Sequence, residues 1–111
     1  TELGVNVCCG SDGIRDAWSP LGTGDMLERA FLTAYRFDWN RDDEFDLALA
    51  CATTHAAKAI GLAGYGLTKG DRADFVMIDA MNAGDALSRR PAQRRVVHAG
   101  QIIAENGQMI S

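Results

Sequence analysis

Leu3-Gly4-Val5-Asn6-Val7-Cys8-Cys9 runs into Gly10-Ser11-Asp12-Gly13-Ile14-Arg15-Asp16-Ala17-Trp18-Ser19-Pro20-Leu21-Gly22-Thr23-Gly24-Asp25-Met26, and the change of character at Gly10 decides how the chain is read. Val5, Val7, Cys8 and Cys9 form a nearly unbroken apolar run, the pattern of a strand buried on both faces in a parallel sheet covered by helices. A half-solvated antiparallel strand would alternate more strictly. Residues 10–24 then hold four glycines together with Ser11, Asp12, Asp16, Ser19 and Pro20, a composition that favours turns. Loops longer than about 12 residues are uncommon in compact domains unless they are functional or disordered. Ile14, Trp18 and Leu21, which a solvated linker would lack, favour function.

Downstream the period becomes helical. Asp25 is placed to cap a helix in which Met26, Leu27, Ala30, Phe31, Ala34 and Tyr35 recur every three or four residues, ending near Phe37. Residues 38–43 are polar and break it. An alanine-rich stretch over 45–59 follows, with Leu47, Ala48, Cys51, Ala52, His55 and Ala59 on one stripe and Thr53-Thr54 as a point of division. Glycines at 61, 64 and 66 close the helical half. Beyond Leu67 the spacing predicts short strands over 73–78, 95–99 and 101–104, a helical turn around 86–89 stopped by Pro91, and a tight turn at Asn106-Gly107. The order is strand, long loop, helices, then a small antiparallel set.

The 111 residues have the length of one domain, and 47% hydrophobic with 23% charged residues is an ordinary globular composition. A net charge of -4 gives no general attraction to phosphate backbones or anionic lipid, so neither a nucleic-acid nor a membrane-surface role is expected. No apolar run approaches the roughly 20 residues of a membrane helix. Three cysteines, at 8, 9 and 51, make neither a disulfide framework nor a CxxC metal spacing, which points to a reducing, cytoplasmic setting. The chain begins at Thr1 with a buried-type strand directly behind it, so it reads as a piece of something larger.

Asp12 lies just past the end of that first strand, where parallel sheets and barrels keep their chemistry. A carboxylate there is a candidate metal ligand or general base; equally, an aspartate in this setting caps a turn by bonding the backbone near Ile14. Trp18 either covers a flat substrate or anchors the loop as an apolar side chain. Gly22-Thr23-Gly24 has the look of a phosphate-binding turn but lacks the third glycine and the Lys-Ser/Thr pair, and reads as a turn ahead of the Asp25 cap. Arg89, Arg90, Arg94 and Arg95 cluster around Pro91, as a solvated or ion-paired surface or as a contact for an acidic partner.

The stretch from Gly10 to Met26 resembles the loop after the eighth barrel strand in cytosine-deaminase-like members of the amidohydrolase superfamily, a group that includes the isopropylammelide amidohydrolases. Tyr65-Gly66-Leu67 with Gly70-Asp71-Arg72-Ala73-Asp74-Phe75-Val76 resembles the superfamily's return from the barrel into its small β-sandwich. Residues 97–104, centred on Gly100, resemble the last strand pair of that sandwich. The resemblance implies an α/β chain: the last strand, loop and helices of a TIM-type (β/α)8 barrel over 1–60, followed by strands of a small β-sandwich over 61–111.

By position, Asp12 matches the family's metal-binding aspartate and proton acceptor, and Trp18 a tryptophan at the substrate pocket. Gly13 falls where cytosine deaminases carry a second acidic residue that reads the ring. That departure points away from cytosine and toward another amino- or amide-substituted N-heterocycle, and the Ile14-Arg15-Asp16 and Gly24-Asp25-Met26 groups lie closer to the isopropylammelide branch. The implied cofactor is one divalent metal ion, zinc or iron, with ligands from outside this chain. His55 on a helical stripe and His98 on a late strand read as packed or capping residues and do not replace the family's histidines. The implied partners are the rest of its own barrel upstream of Thr1, roughly 250 residues in that fold, a small heterocyclic substrate and further copies in a homo-oligomer. The opposing reading is a free-standing binding or dimerisation module that keeps the architecture without the chemistry.

Overall fold

The computed structural model describes residues 2–110. Among these residues four helices and four strands follow in the order α1 (Met26–Arg36), α2 (Asp42–Ala52), α3 (Thr54–Ala59), β1 (Phe75–Ile78), α4 (Ala83–Arg89), β2 (Arg94–His98), β3 (Gln101–Glu105) and β4 (Gln108–Met109).

Asp25 is the N-cap of α1, its carboxylate accepting the Leu27 N–H at 3.0 Å. The helix ends in a Schellman arrangement with Asp38 in the left-handed region (φ 55°), the Trp39 N–H reaching back to the Ala34 carbonyl at 2.9 Å. At the start of α2, the Glu44 carboxylate accepts the N–H groups of Asn40 and Arg41 at 2.9 and 3.1 Å, satisfying donors that a helix start leaves open. The break between α2 and α3 falls at Thr53, whose hydroxyl donates to the Leu49 carbonyl at 2.7 Å.

The strands form one antiparallel sheet in chain order, β1-β2-β3-β4, with a bulge between Val96 and Val97. Two-residue turns close the second and third pairings. Ala99-Gly100 has φ of 49° and 79°, and Asn106-Gly107 has 49° and 83°. Positive φ at both central positions matches the turn to the right-handed twist of the strands. Ala99, which has a Cβ to accommodate, is held there by its N–H donating to Asp74 Oδ1 at 2.7 Å, while the Gly100 N–H donates to the Ala73 carbonyl at 3.1 Å.

The core is made of small side chains. Leu27, Ala30 and Ala34 of α1, Ala48 of α2 and Ala86 and Leu87 of α4 are buried together, with Phe31, Trp39, Phe45, Leu49, Ile78 and Ala80 packed around them. Alanine at the contact faces lets helix backbones come close, and a Cβ placed on Gly84 of α4 would come 3.1 Å from the Phe45 ring. Because α4 packs on both α1 and α2, the second half of the chain shares its core with the first.

One expectation is corrected here: no strand forms over residues 3–9. A strand exists only where a neighbour completes its ladder, and the bonds that Asn6, Val7 and Cys9 make go to residues of α2 and α3. The Cys9 N–H donates to the Cys51 carbonyl at 2.9 Å, the Asn6 side-chain amide donates to the His55 carbonyl at 2.9 Å, and the His55 ring pairs through Nδ1 with the Val7 carbonyl at 3.0 Å. Burial on both faces is not achieved either, since Leu3, Val5 and Val7 are exposed. β4, only two residues long, is an element that the periodicity does not reveal.

Candidate functional site

Asp12, Gly13 and Trp18 all lie in the stretch between Cys9 and α1, which is folded back on itself. Its two arms touch. Arg15 Nε donates to the Gly22 carbonyl at 3.3 Å. A Cβ on buried Gly22 would come 3.3 Å from both the Gly13 carbonyl oxygen and Ile14 Cα, and one on Gly24 would meet Ile14 Cδ1 at 3.0 Å. The Gly22 N–H closes the tip by donating to the Ser19 carbonyl at 3.3 Å.

Asp16 organises the tip. Its Oδ1 accepts the N–H groups of Trp18 at 2.9 Å and of Ser19 at 2.7 Å, an Asx turn that locks two successive peptide groups. The turn-capping work that the sequence allows for Asp12 thus belongs to Asp16. Asp12 itself is exposed, sits in the left-handed region (φ 56°), and its carboxylate has no hydrogen-bond or ion-pair partner among the described residues. Aspartate tolerates that backbone better than most residues, at some cost in strain. Next to it the Ser11 hydroxyl is buried without a partner. Trp18 is 94% exposed among the described residues. A cleft of about 250 Å³ beside the loop is lined by Ser19, Pro20, Leu21, Gly22, Glu28 and Arg29, and includes neither Asp12 nor Trp18.

The far end of the loop is tied to the sheet. The Thr23 hydroxyl accepts the Asp25 N–H at 3.2 Å and pairs with Glu28 Oε2 at 3.0 Å. Asp25 in turn receives Arg94 of β2 in a bidentate ion pair, 2.8 Å from Nη1 to Oδ1 and 3.1 Å from Nη2 to Oδ2. Partial burial pushes the Asp25 carboxyl up, but the Arg94 hydrogen bond, the Leu27 N–H and the Arg94 charge together bring it below the usual aspartate value. The other arginines of the cluster are also engaged. Arg89 pairs with Asp85 at 2.6 Å and Arg95 with Glu105 at 2.6 Å, while Arg90 lies over the Phe31 ring at 3.9 Å and donates to the Leu87 carbonyl at 2.6 Å. Asp85 is held far below its ordinary value by Arg89 and the Met81 N–H. Three of the four arginines are thus ion-paired within the chain, and Arg90 is held by an aromatic ring and a carbonyl.

A catalytic metal ion takes three or more side-chain ligands. Among the described residues no group of three or more His, Cys, Asp or Glu is gathered for that purpose. His55 is turned to the Val7 carbonyl and His98 to Asp74 at 3.0 Å. The loop contacts of Asp16 and Arg15, and Asp25 as the partner of Arg94, are what the sequence reading missed. The signal for Asp16 was present, as an aspartate two and three residues ahead of Trp18 and Ser19.

No helix among the described residues is long and apolar enough to cross a membrane. The chain is similar to known proteins along nearly its whole length. It is 30% identical over 106 residues to an N-isopropylammelide isopropyl amidohydrolase of Pseudomonas sp. (strain ADP), covering 95% of this chain and 26% of that protein. It superposes on the crystal structure of an N-isopropylammelide isopropylaminohydrolase from Burkholderia multivorans with a TM-score of 0.92 and 49% identity, over 98% of this chain and 28% of that one. A 5-methylcytosine deaminase from Klebsiella pneumoniae, crystallised with 5-fluorocytosine, superposes with a TM-score of 0.81 and 27% identity, over 99% and 26% of the two chains. The chain thus spans about a quarter of the length of these relatives. The amidohydrolase family profile matches residues 1–104, and the chain belongs to that family, as a stretch similar to the C-terminal part of its isopropylammelide and cytosine deaminase-like members.

Proposed function

We propose that this chain is part of a hydrolase acting on carbon–nitrogen bonds, which removes an exocyclic amino or N-alkylamino group from an N-heterocycle. The observation that carries the reading is the 49% identity and 0.92 TM-score to an N-isopropylammelide isopropylaminohydrolase over 98% of the chain. Asp12 supports it, as an exposed carboxylate with no other employment in the fold. In this reading residues 1–60 complete a (β/α)8 barrel and residues 61–111 contribute to a small β-sandwich. The protein works in the cytoplasm as a homo-oligomer.

Asp12 has two roles. It gives one oxygen ligand to a divalent ion, zinc or iron, whose other ligands come from outside these residues; such an ion, when bound, makes water a nucleophile near neutral pH. It also takes up the proton of the attacking water and delivers it to the leaving nitrogen, so that an amine departs and an oxygen takes its place on the ring. Trp18 lies against the face of the heterocycle. Gly13, with no side chain, leaves the pocket open beside Asp12 and makes no ring-reading contact, which favours an alkylamino substituent over cytosine.

The test is amine release by the intact polypeptide supplied with zinc or iron, using N-isopropylammelide and cytosine as substrates. Isopropylamine release that is lost in Asp12→Asn supports the reading. No release from either substrate, or release undiminished in Asp12→Asn, overturns it in favour of a non-catalytic binding or dimerisation module.

A further inference from the structure

Asn6, Val7 and Cys9, which lead to Asp12, are all bonded at one place, the break between α2 and α3. In an unbroken helix the Cys51 carbonyl would serve the N–H of residue 55. The helix breaks at Thr53, and the Cys51 carbonyl receives the Cys9 N–H at 2.9 Å. Four residues on, His55 and the segment hold each other reciprocally. The Asn6 side-chain amide donates to the His55 carbonyl at 2.9 Å, and the His55 ring reaches back through Nδ1 to the Val7 carbonyl at 3.0 Å. A carbonyl oxygen only accepts, so His55 carries a hydrogen on Nδ1. Asn6 enters this clamp with its side chain and Val7 with an oxygen that has two lone pairs; of the three, Cys9 alone commits its N–H. The clamp is therefore compatible with strand pairing of the same segment in a complete barrel. Beyond Cys9, Gly10 lies in open space, and Asp12 follows in the left-handed region (φ 56°) with its carboxylate unpartnered among the described residues. On its N-terminal side the place of that carboxylate is set from the fixed point at Cys9.

We propose that His55 is a positioning residue for Asp12: its Nδ1–H, given to the Val7 carbonyl, closes a clamp with Asn6 that seats the end of this segment on the α2–α3 break and fixes the point from which the chain runs to Asp12. The proposal rests on the reading of Asp12 as metal ligand and proton carrier. His55 itself touches neither metal nor substrate and acts through residues 7–12. What position 55 has to supply is an N–H where Nδ1 stands. Asparagine puts its amide nitrogen there, glutamine puts it further out, where Nε2 stands, and alanine has none.

The test compares the intact parent polypeptide with His55→Ala, His55→Gln, His55→Asn, Asn6→Ala and Asp12→Asn, reading amide hydrogen exchange at Cys9 and across β1–β3, and the kinetics of amine release from N-isopropylammelide with zinc or iron supplied. His55→Ala is expected to speed exchange at Cys9 by about tenfold or more and to leave the sheet unchanged, the mark of a local opening. Asn6→Ala, which breaks the clamp from its other side with the His55 ring in place, should speed Cys9 as well. His55→Gln keeps a large polar side chain and reads the same loss should alanine unfold the chain. In the kinetics, His55→Ala and His55→Gln should lower kcat by about tenfold or more with KM within about threefold, because Asp12 acts on the attacking water and the leaving nitrogen and not in holding the ring. His55→Asn should bring both exchange and kcat back to within about threefold of the parent. Unchanged exchange at Cys9 in both His55→Ala and Asn6→Ala, or a His55→Gln that matches His55→Asn, overturns the clamp. Faster exchange at Cys9 with kcat undiminished, while Asp12→Asn is inactive, overturns the positioning role and leaves the reading of Asp12 standing. No release by the parent, or release undiminished in Asp12→Asn, overturns the reading of Asp12 and the positioning role with it.

Discussion

Replacing Arg94 by alanine should loosen the start of α1, a helix 69 positions away in sequence from the arginine that steadies its cap. The size of the effect follows from the geometry. An exposed ion pair contributes about 0–1 kcal/mol, and breaking a buried one costs about 3–5 kcal/mol. Arg94 and Asp25 are 21% and 30% exposed, and their contact is bidentate, which places the loss between those limits, at about 2 kcal/mol. Asp25 keeps its bond to the Leu27 N–H in Arg94→Ala, whereas Asp25→Ala removes the cap as well, adding about 1 kcal/mol. Amide hydrogen exchange at Leu27 measures the local opening directly. Arg94→Ala should speed it by about 30-fold, and Asp25→Asn, which keeps a capping oxygen, by less. The two alanine changes combined should fall well short of the sum of the single effects. Single effects that add to within about 0.5 kcal/mol would refute the link. The pH dependence has a definite sign. The folded-state pKa of Asp25 lies below its ordinary value of 3.8, so its contribution is fully present above that value and disappears as pH falls through the lower, folded-state one. Acid should thus reproduce the effect of Arg94→Ala, and Arg94→Ala should itself respond less to acid.

Other expectations are as specific. Asp12→Asn should lower kcat by about 10²–10⁴-fold, the range of a lost proton-transfer group, while leaving the thermal stability of the metal-free polypeptide unchanged, because the carboxylate has no partner among the described residues; a large fall in Tm without metal would mean that Asp12 is structural. Cys51 is fully buried and burial pushes its thiol up, with Cys9 and Cys8 adding to the shift, so iodoacetamide near neutral pH should label exposed Cys8 well before it; the opposite order in a peptide map would contradict the packing. Ala48→Leu places three extra carbons where nothing is exposed, and should cost about 1–3 kcal/mol in urea unfolding; a neutral result would mean that α1, α2 and α4 are less closely packed than described.

Where local chemistry determines an element, the sequence was legible. Asp25 announces α1, Thr53 marks the α2–α3 break, Gly61 caps the end of α3 and Asn106-Gly107 makes a hairpin turn, each through bonds spanning only a few residues. The segment over 3–9 was misread for the opposite reason: its apolar run states a preference for a strand, but the ladder that would realise it is not supplied by the residues around it. The Arg94–Asp25 link lay out of reach because charge patterning shows that four arginines are close, not which carboxylate each one finds. At the candidate site, Asp12 and Trp18 stood out by residue type and by resemblance. Asp16 did not, although its place two and three residues ahead of Trp18 and Ser19 is the spacing of the Asx turn it makes.

The two-residue turns of the sheet also bear on the order in which it assembles. β2, β3 and β4 are joined by the tightest connections a chain can make, so each pairing closes a loop of negligible length, on the microsecond scale of isolated hairpins. β1 reaches β2 only across α4, which has to dock on α1 and α2 as well. The meander from Arg94 to Met109 is therefore expected to gain protection in a pulse-labelling experiment before β1 does, with β1 joining as the helical core consolidates; simultaneous protection of β1 and β3 would show that the sheet nucleates as a whole.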